Sequence, residues 1–150
     1  MGFDAPTDSE EEEAAHRWEW DNEMNMGIPT IDADHRDLAQ RYNALVQVLF
    51  RNGDPAVFEK CFRSLISQVR RHFAYEQRLM IDLGYKAHDS HAAEHEKLLN
   101  EAEELTRRVR TGAEKYDCSA LVQYIKYWLI EHIVRDDRKL ARFLHERRSV

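Results

Sequence analysis

The sequence predicts an all-α protein: an antiparallel, up-down-up-down four-helix bundle preceded by an N-terminal arm. Three observations carry this expectation. Breakers are scarce, with five Gly and three Pro in 150 residues. Apolar residues (43 %) and charged residues (33 %) are interleaved rather than segregated, as amphipathic helices require. Apolar residues also recur at steps of three and four, the period of one helix face.

Residues 1–15 read as a disordered acidic arm, in which the run Glu10 to Glu13 is solvated charge. Residues 16–150 form one domain. Its first stretch, HRWEWDNEMNMGIPT, holds two Trp and two Met without a helical period, and is expected to lie as an ordered arm on the core. Asp32 or Thr30 can cap a first helix, whose stripe is Ile31, His35, Leu38, Tyr42, Leu45 and Leu49. Asn52-Gly53-Asp54-Pro55 ends it and starts the second, with Asp54 as N-cap and Pro55 at N1. The second stripe is Phe58, Phe62, Leu65, Val69, His72, Glu76, Leu79 and Leu83, closed by Gly84. The third is His88, His91, His95, Leu98, Ala102, Leu105 and Val109, ending at Thr111-Gly112. Asp117 can cap a fourth helix, with a broad apolar arc that includes Leu121, Ile125, Trp128, Leu129, Ile133, Leu140 and Leu144. Short turns make sequential helices antiparallel neighbours.

Bulk properties exclude several function classes. A net charge of −6 argues against a general nucleic-acid role. No apolar run approaches the roughly 20 residues that cross a bilayer. The opening MGFDAPTDSEEEE lacks the parts of a signal peptide. Two cysteines, Cys61 and Cys118, imply no disulfide framework, and a cytoplasmic location is expected.

The stripes contain residues foreign to a core: His35, His72, Glu76, His91 and His95. An ionised Glu is almost never buried without a partner. The fourth helix adds His132 and Asp137. Five steps of about 100° in a regular helix separate these two by roughly 140°, so they are expected to flank the apolar face rather than share a line.

Height along the bundle ties the set together. Measured from Gly53, His35 lies 18 residues before and His72 lies 19 after. From Tyr85, His72 and Glu76 lie 13 and 9 before, and His91 and His95 lie 6 and 10 after. From Glu114, His95 and His91 lie 19 and 23 before, and His132 and Asp137 lie 18 and 23 after. At about 1.5 Å per residue, all seven fall in one layer, drawn from four helices. A lone core His, or a lone His/Glu pair four apart, is ordinary protein. Seven such groups at one level would cost several kcal/mol in desolvation unless a metal compensated them. His16 and His145 are expected to be solvated, and His88 to sit at the rim. Glu94, Glu96, Glu131 and Asp136 adjoin the set in sequence but face elsewhere; Asp136 is the nearest competitor to Asp137.

Five imidazoles and two carboxylates exceed the needs of one ion. Zinc would take about four ligands, and Ca²⁺ or Mg²⁺ would not select imidazole. A pair of first-row ions, with iron preferred, fits the N/O donors. If both carboxylates and one water-derived oxygen bridge, five histidines split three and two. One ion then reaches six-coordination and its neighbour keeps one open position.

The set His35, His72-x-x-x-Glu76, His91-x-x-x-His95 and His132-x-x-x-x-Asp137 resembles the hemerythrin family, the standalone bacterial form in particular. WEWDNEMNMGIPTIDADH and WLIEHIVRDD resemble that family's arm and last helix, and the likeness covers roughly residues 18–143. The resemblance implies two oxo- or hydroxo-bridged Fe ions and reversible binding of O₂ as a ligand. It assigns His91, His95 and His132 to the six-coordinate iron, His35 and His72 to the open one, and Glu76 and Asp137 to the bridges. Asp34 stands where the resemblance implies Gln in many bacterial members.

Trp128, Ile130, Leu38 and Ile133 are candidates for an apolar wall around O₂, and a polar residue at Ile130 is expected to speed autoxidation. The leading expectation is a non-enzymatic O₂ carrier, store or delivery protein, monomeric or weakly oligomeric, with a separate protein as O₂ acceptor. Alternatives are an O₂ or redox sensor working with a separate partner, a di-iron enzyme reducing peroxide or NO, and an iron buffer.

Overall fold

The computed structural model describes residues 8–51, 54–112 and 118–148. Its helices are α1 (Asp8–His16), α2 (Pro29–Arg51), α3 (Pro55–Leu83), α4 (His88–Gly112), α5 (Cys118–His132) and α6 (Arg138–Arg148). A single 3-10 turn spans Asn22–Met24, and a π-helical turn, Ile133–Asp137, joins α5 to α6. No strand occurs among the described residues.

Cross-helix contacts fix the topology. Arg41 donates to Ser64, while His35, further back on α2, reaches His72, further along α3. Arg70 pairs with Glu103, and Glu76 meets His95. Tyr124 donates to Glu101, and the His132 and His91 rings lie 5.5 Å apart. Tyr42 donates to the Val122 carbonyl and His35 meets Asp137. In every pair one index falls as the other rises, so α2, α3, α4 and the α5–α6 run are antiparallel neighbours around a closed bundle.

The predicted stripes are the buried faces, with local differences. Leu38, Tyr42, Leu45, Phe62, Leu65, Val69, Leu98, Leu121, Ile125 and Leu140 are buried. After Glu76 the stripe steps four residues to the fully buried Met80, leaving Leu79 half-buried. Asp54 caps α3 through a 2.9 Å bond from the Ala56 N–H, with Pro55 following it. Gly84 ends α3 at φ 66°, the left-handed geometry glycine tolerates best. The start of α2 differs from expectation. The helix begins at Pro29, and the Asp32 N–H already bonds to the Ile28 carbonyl at 2.9 Å. Asp32 lies inside the first turn, where its carboxylate accepts from the N–H groups of Met26 (2.7 Å) and Gly27 (3.1 Å). It folds the arm back instead of capping from outside. The proposed cap at Asp117 and the turn centres Gly53 and Glu114 lie outside the described residues.

The arm also needs correction. Residues 8–15, expected to be disordered, fall within α1 (Asp8–His16). Glu and Ala are strong helix formers, and tertiary ties hold this short helix down. Arg51 bonds Glu13 at 3.1 Å, and the Tyr42 hydroxyl donates to the His16 carbonyl at 2.7 Å. Asn43 grips the backbone of Trp18 from both sides. Trp18, Met26 and Ile28 are buried, as an arm lying on the core requires. His16 and His145 are not simply solvated. His16 bonds the Glu12 carbonyl and packs on Phe50. His145 Nε2 donates to the Met26 carbonyl at 2.6 Å. Gly27, at φ 76°, passes so close that a Cβ there would meet the His145 ring at 2.9 Å.

Candidate metal centre

All seven predicted side chains are buried, and their polar ends meet in one layer. Two groups emerge. Glu76, His91, His95, His132 and Asp137 each bring one donor atom within 4.8 Å of the others, and so do His35, His72 and Asp137. Asp137 belongs to both. Its Oδ2 lies 2.7 Å from His35 Nε2 and 3.0 Å from His72 Nε2. Its Oδ1 lies 2.9 Å from His132 Nε2 and 3.3 Å from His91 Nε2. Glu76 Oε1 also touches both groups, at 3.2 Å from His72 Nε2 and 3.3 Å from His95 Nε2.

A local feature of the backbone brings Asp137 here. On a regular helix it would stand roughly 140° from His132. The π turn at Ile133–Asp137 changes that. Its i→i+5 pattern takes in one extra residue, so the residue five further on comes round over the starting one. The two residues share a line instead of flanking the face. Asp136, the nearest competitor, stays half-buried at the edge, with Oδ2 3.6 Å from His132 Nδ1.

The donor atoms fit a cation better than they fit each other. Both oxygens of Glu76, Asp137 Oδ1, and Nε2 of His91, His95 and His132 are buried without a hydrogen-bond partner. They are close enough to share an ion but not aligned to exchange protons. Orphaned polar atoms of this kind are rare in a folded protein. Nitrogen-rich donors with two carboxylates suit first-row transition ions.

Without metal, protons must do the compensating. Burial and mutual repulsion disfavour charge on Glu76 and Asp137, yet the facing imidazoles hold both carboxyls well below the usual range. Burial likewise opposes charge on His72 and His132, but the two carboxylates hold both well above an ordinary histidine. His91 is raised to about 9 by the same carboxylates against its burial. His95 moves down, because burial dominates there. Its ring stacks flat on Phe73, with centroids 3.8 Å apart and 3° between planes.

The other histidine and acids near the set, expected at the rim or facing elsewhere, do not join the layer. His88 stays at the half-buried rim beside Asp89. Glu94, Glu96 and Glu131 lie outside both groups. Leu38 and Trp128 are buried, one turn from His35 and His132 respectively. Ile130 is only partly buried. Two residues before His132 in regular α-helix, it is turned about 200° away from it. The Ile133 side chain lies outside the described residues. One contributor was missed and another was marked without being placed. Phe73, the neighbour of His72 in HFAYE, gave no signal beyond being aromatic. Asp34 stood out in the sequence without a role, and here its Oδ2 lies 3.0 Å from His72 Nδ1.

The fold and the cluster together define a class: a helical bundle built around an internal cluster of histidines and carboxylates that could hold a cation. The Hemerythrin HHE cation binding domain matches residues 26–144, and the chain belongs to the hemerythrin family. It is 29% identical to a Bacteriohemerythrin of Pseudomonas paraeruginosa over 118 residues, 79% of this chain and 75% of that one. A Bacteriohemerythrin of Stenotrophomonas maltophilia is 29% identical over 122 residues, 81% and 78% of the two chains. One from Clostridium acetobutylicum is 24% identical over 124 residues, 80% and 95% of the two chains. Among the described residues no helix is long and apolar enough to cross a membrane.

Proposed function

We propose that the seven clustered residues hold two iron ions, and that the protein binds O₂ reversibly as a cytoplasmic carrier, store or delivery protein rather than an enzyme. The observation that carries this reading is the division of Asp137. One carboxylate oxygen faces His35 and His72, and the other faces His91 and His132. That is the geometry of a bridge between two cation positions about one carboxylate apart. His91, His95 and His132 would serve one ion, His35 and His72 the other, and Glu76 would bridge beside Asp137. The three-to-two split would leave fewer protein donors on the His35/His72 side, where O₂ could be taken up.

Bound iron would supply the electrons for O₂ binding; the protein's part is to hold the pair and keep water out. Leu38, 2 % exposed and one turn beyond His35, and Trp128, one turn before His132, supply apolar cover. The test is the absorption spectrum of the reduced, iron-loaded protein on exposure to air. A charge-transfer band should appear with O₂ and vanish on deoxygenation. Irreversible oxidation with no such band would sink the carrier reading in favour of a peroxide- or NO-reducing enzyme.

The apolar cover gives a paired prediction. Leu38→Ala should speed autoxidation by opening the wall to water, at a stability cost of about 2–5 kcal/mol. Ile130→Glu, on the side turned from the cluster, should leave the autoxidation rate unchanged, contrary to the reading from sequence. Equal autoxidation of Leu38→Ala and wild type, measured as decay of the oxygenated spectrum, would remove Leu38 from the wall.

A further inference from the structure

The inward nitrogens of the histidines belong to the cluster, but the outward nitrogens are treated unequally. His35 Nδ1 and His95 Nδ1 have no protein partner. His132 Nδ1 stands 3.6 Å from Asp136 Oδ2, beyond hydrogen-bond reach. His72 Nδ1 lies 3.0 Å from Asp34 Oδ2. The His72 side chain is fully buried, while Asp34 is 26 % exposed at the outer edge of the same layer. Asp34 precedes His35 on α2, so a single turn of this helix reaches both histidines of one group.

For the neutral ring that would bind a metal, this contact selects the tautomer. An ionised carboxylate accepts only, so Nδ1 carries the hydrogen and donates it. Nε2 then presents its lone pair inward, where Asp137 Oδ2 lies at 3.0 Å and Glu76 Oε1 at 3.2 Å. A carboxylate behind a ligating imidazole fixes the ring and raises its donor strength.

We propose that Asp34 is a positioning residue that makes His72 a stronger imidazole donor than His35, its neighbour in the same group, and lowers the reduction potential of the half held by His35 and His72. The proposal rests on the di-iron reading but concerns only one of its halves. A stronger donor favours the ferric over the ferrous ion. Asp34 therefore sets how readily the O₂-binding half gives up electrons, without touching O₂ or metal itself.

Asp34→Asn keeps an oxygen acceptor at the same place and removes its charge; Asp34→Glu keeps the charge on a longer arm. Two measurements read them: Co²⁺ titration of the metal-free protein, and the midpoint potential of the iron-loaded protein. Wild type should bind two Co²⁺. Asp34→Asn should still bind two, with the weaker step loosened about 10- to 100-fold and the midpoint potential raised. Asp34→Glu should recover part of both. Asp136→Asn, at its longer contact on the other half, should shift the potential less. An Asp34→Asn protein with an unchanged isotherm and an unchanged or lowered potential would overturn the proposal. So would an equal shift in Asp136→Asn. Fewer than two Co²⁺ in wild type would instead overturn the di-iron reading, whatever the Asp34 variants do.

Discussion

Glu76→Gln is expected to bind one metal ion or fewer per chain and to lose roughly 3–5 kcal/mol of stability in its metal-free form. Glu76 is fully buried on α3, at the point where all four helices converge. Its Oε1 lies within 3.2–3.7 Å of His72, His95, His91 and His132. In the proposed centre it bridges, so its loss removes a donor from both ions at once. In the metal-free protein it is one of two ionised carboxylates facing histidines that are held charged. Glutamine has almost the same volume and cannot carry the charge, so the packing survives while the compensation does not. Removing one partner of a buried ion pair is costly because it strands the other. Glu96→Gln, one residue from His95 in sequence but exposed, should change neither property. Iron analysis and denaturant unfolding of the two variants check this. Two irons per chain in Glu76→Gln would end the bridging role.

The contrast between Glu76 and Asp137 shows what the sequence could reveal. HFAYE and HAAEH lie on uninterrupted helices, where a spacing of four puts both members on one face. Their burial followed from the apolar stripe they interrupt, and their common height followed from counting to the turns. Asp137 follows the same logic only halfway. Its distance from His132 is wrong for a regular helix, and the correction is a π turn whose extra residue leaves no trace in the apolar period. Residues inside that turn, Asp136 and Asp137, could be ranked by sequence but not separated by it.

The arm failed for the opposite reason. Glu10 to Glu13 look like solvated charge because they have no apolar face. What makes 8–16 a helix is local propensity supported by Tyr42, Arg51 and Asn43, all far along the chain. Ile130 was misplaced by proximity in sequence alone, since two residues along a helix is almost the far side of it. Asp34 shows the remaining limit. Its partner is 38 residues away on another helix, so position beside a ligand marked it out while its role needed the packed structure.

Removing the metals is expected to give the protein a stability that falls as pH rises from about 6.5, a loss the iron-loaded protein should not show. The sign follows from the direction of the histidine shifts. His72, His132 and His91 are held above the ordinary value, His91 at about 9. A group with a raised folded pKa contributes stability that is complete below its unfolded pKa and is lost as pH climbs through the folded one. His91 alone should account for on the order of 2–3 kcal/mol between pH 6.5 and about 9. For a domain of this size that is about 5–10 °C in Tm, and His72 and His132, raised in the same direction, add to the same alkaline loss. The carboxylates act at the other end. Glu76 and Asp137 are held below the usual range, so their contribution is present above the unfolded pKa of about 4 and disappears only in stronger acid. In the iron-loaded protein the same imidazoles would be neutral, with a metal in place of the proton, so alkaline pH would have nothing to remove. Thermal unfolding of chelator-treated and iron-loaded protein from pH 5 to 10 compares the two directly. Parallel curves would mean that the buried histidines do not exchange protons for metal, and the cluster would then have to be explained without a cation.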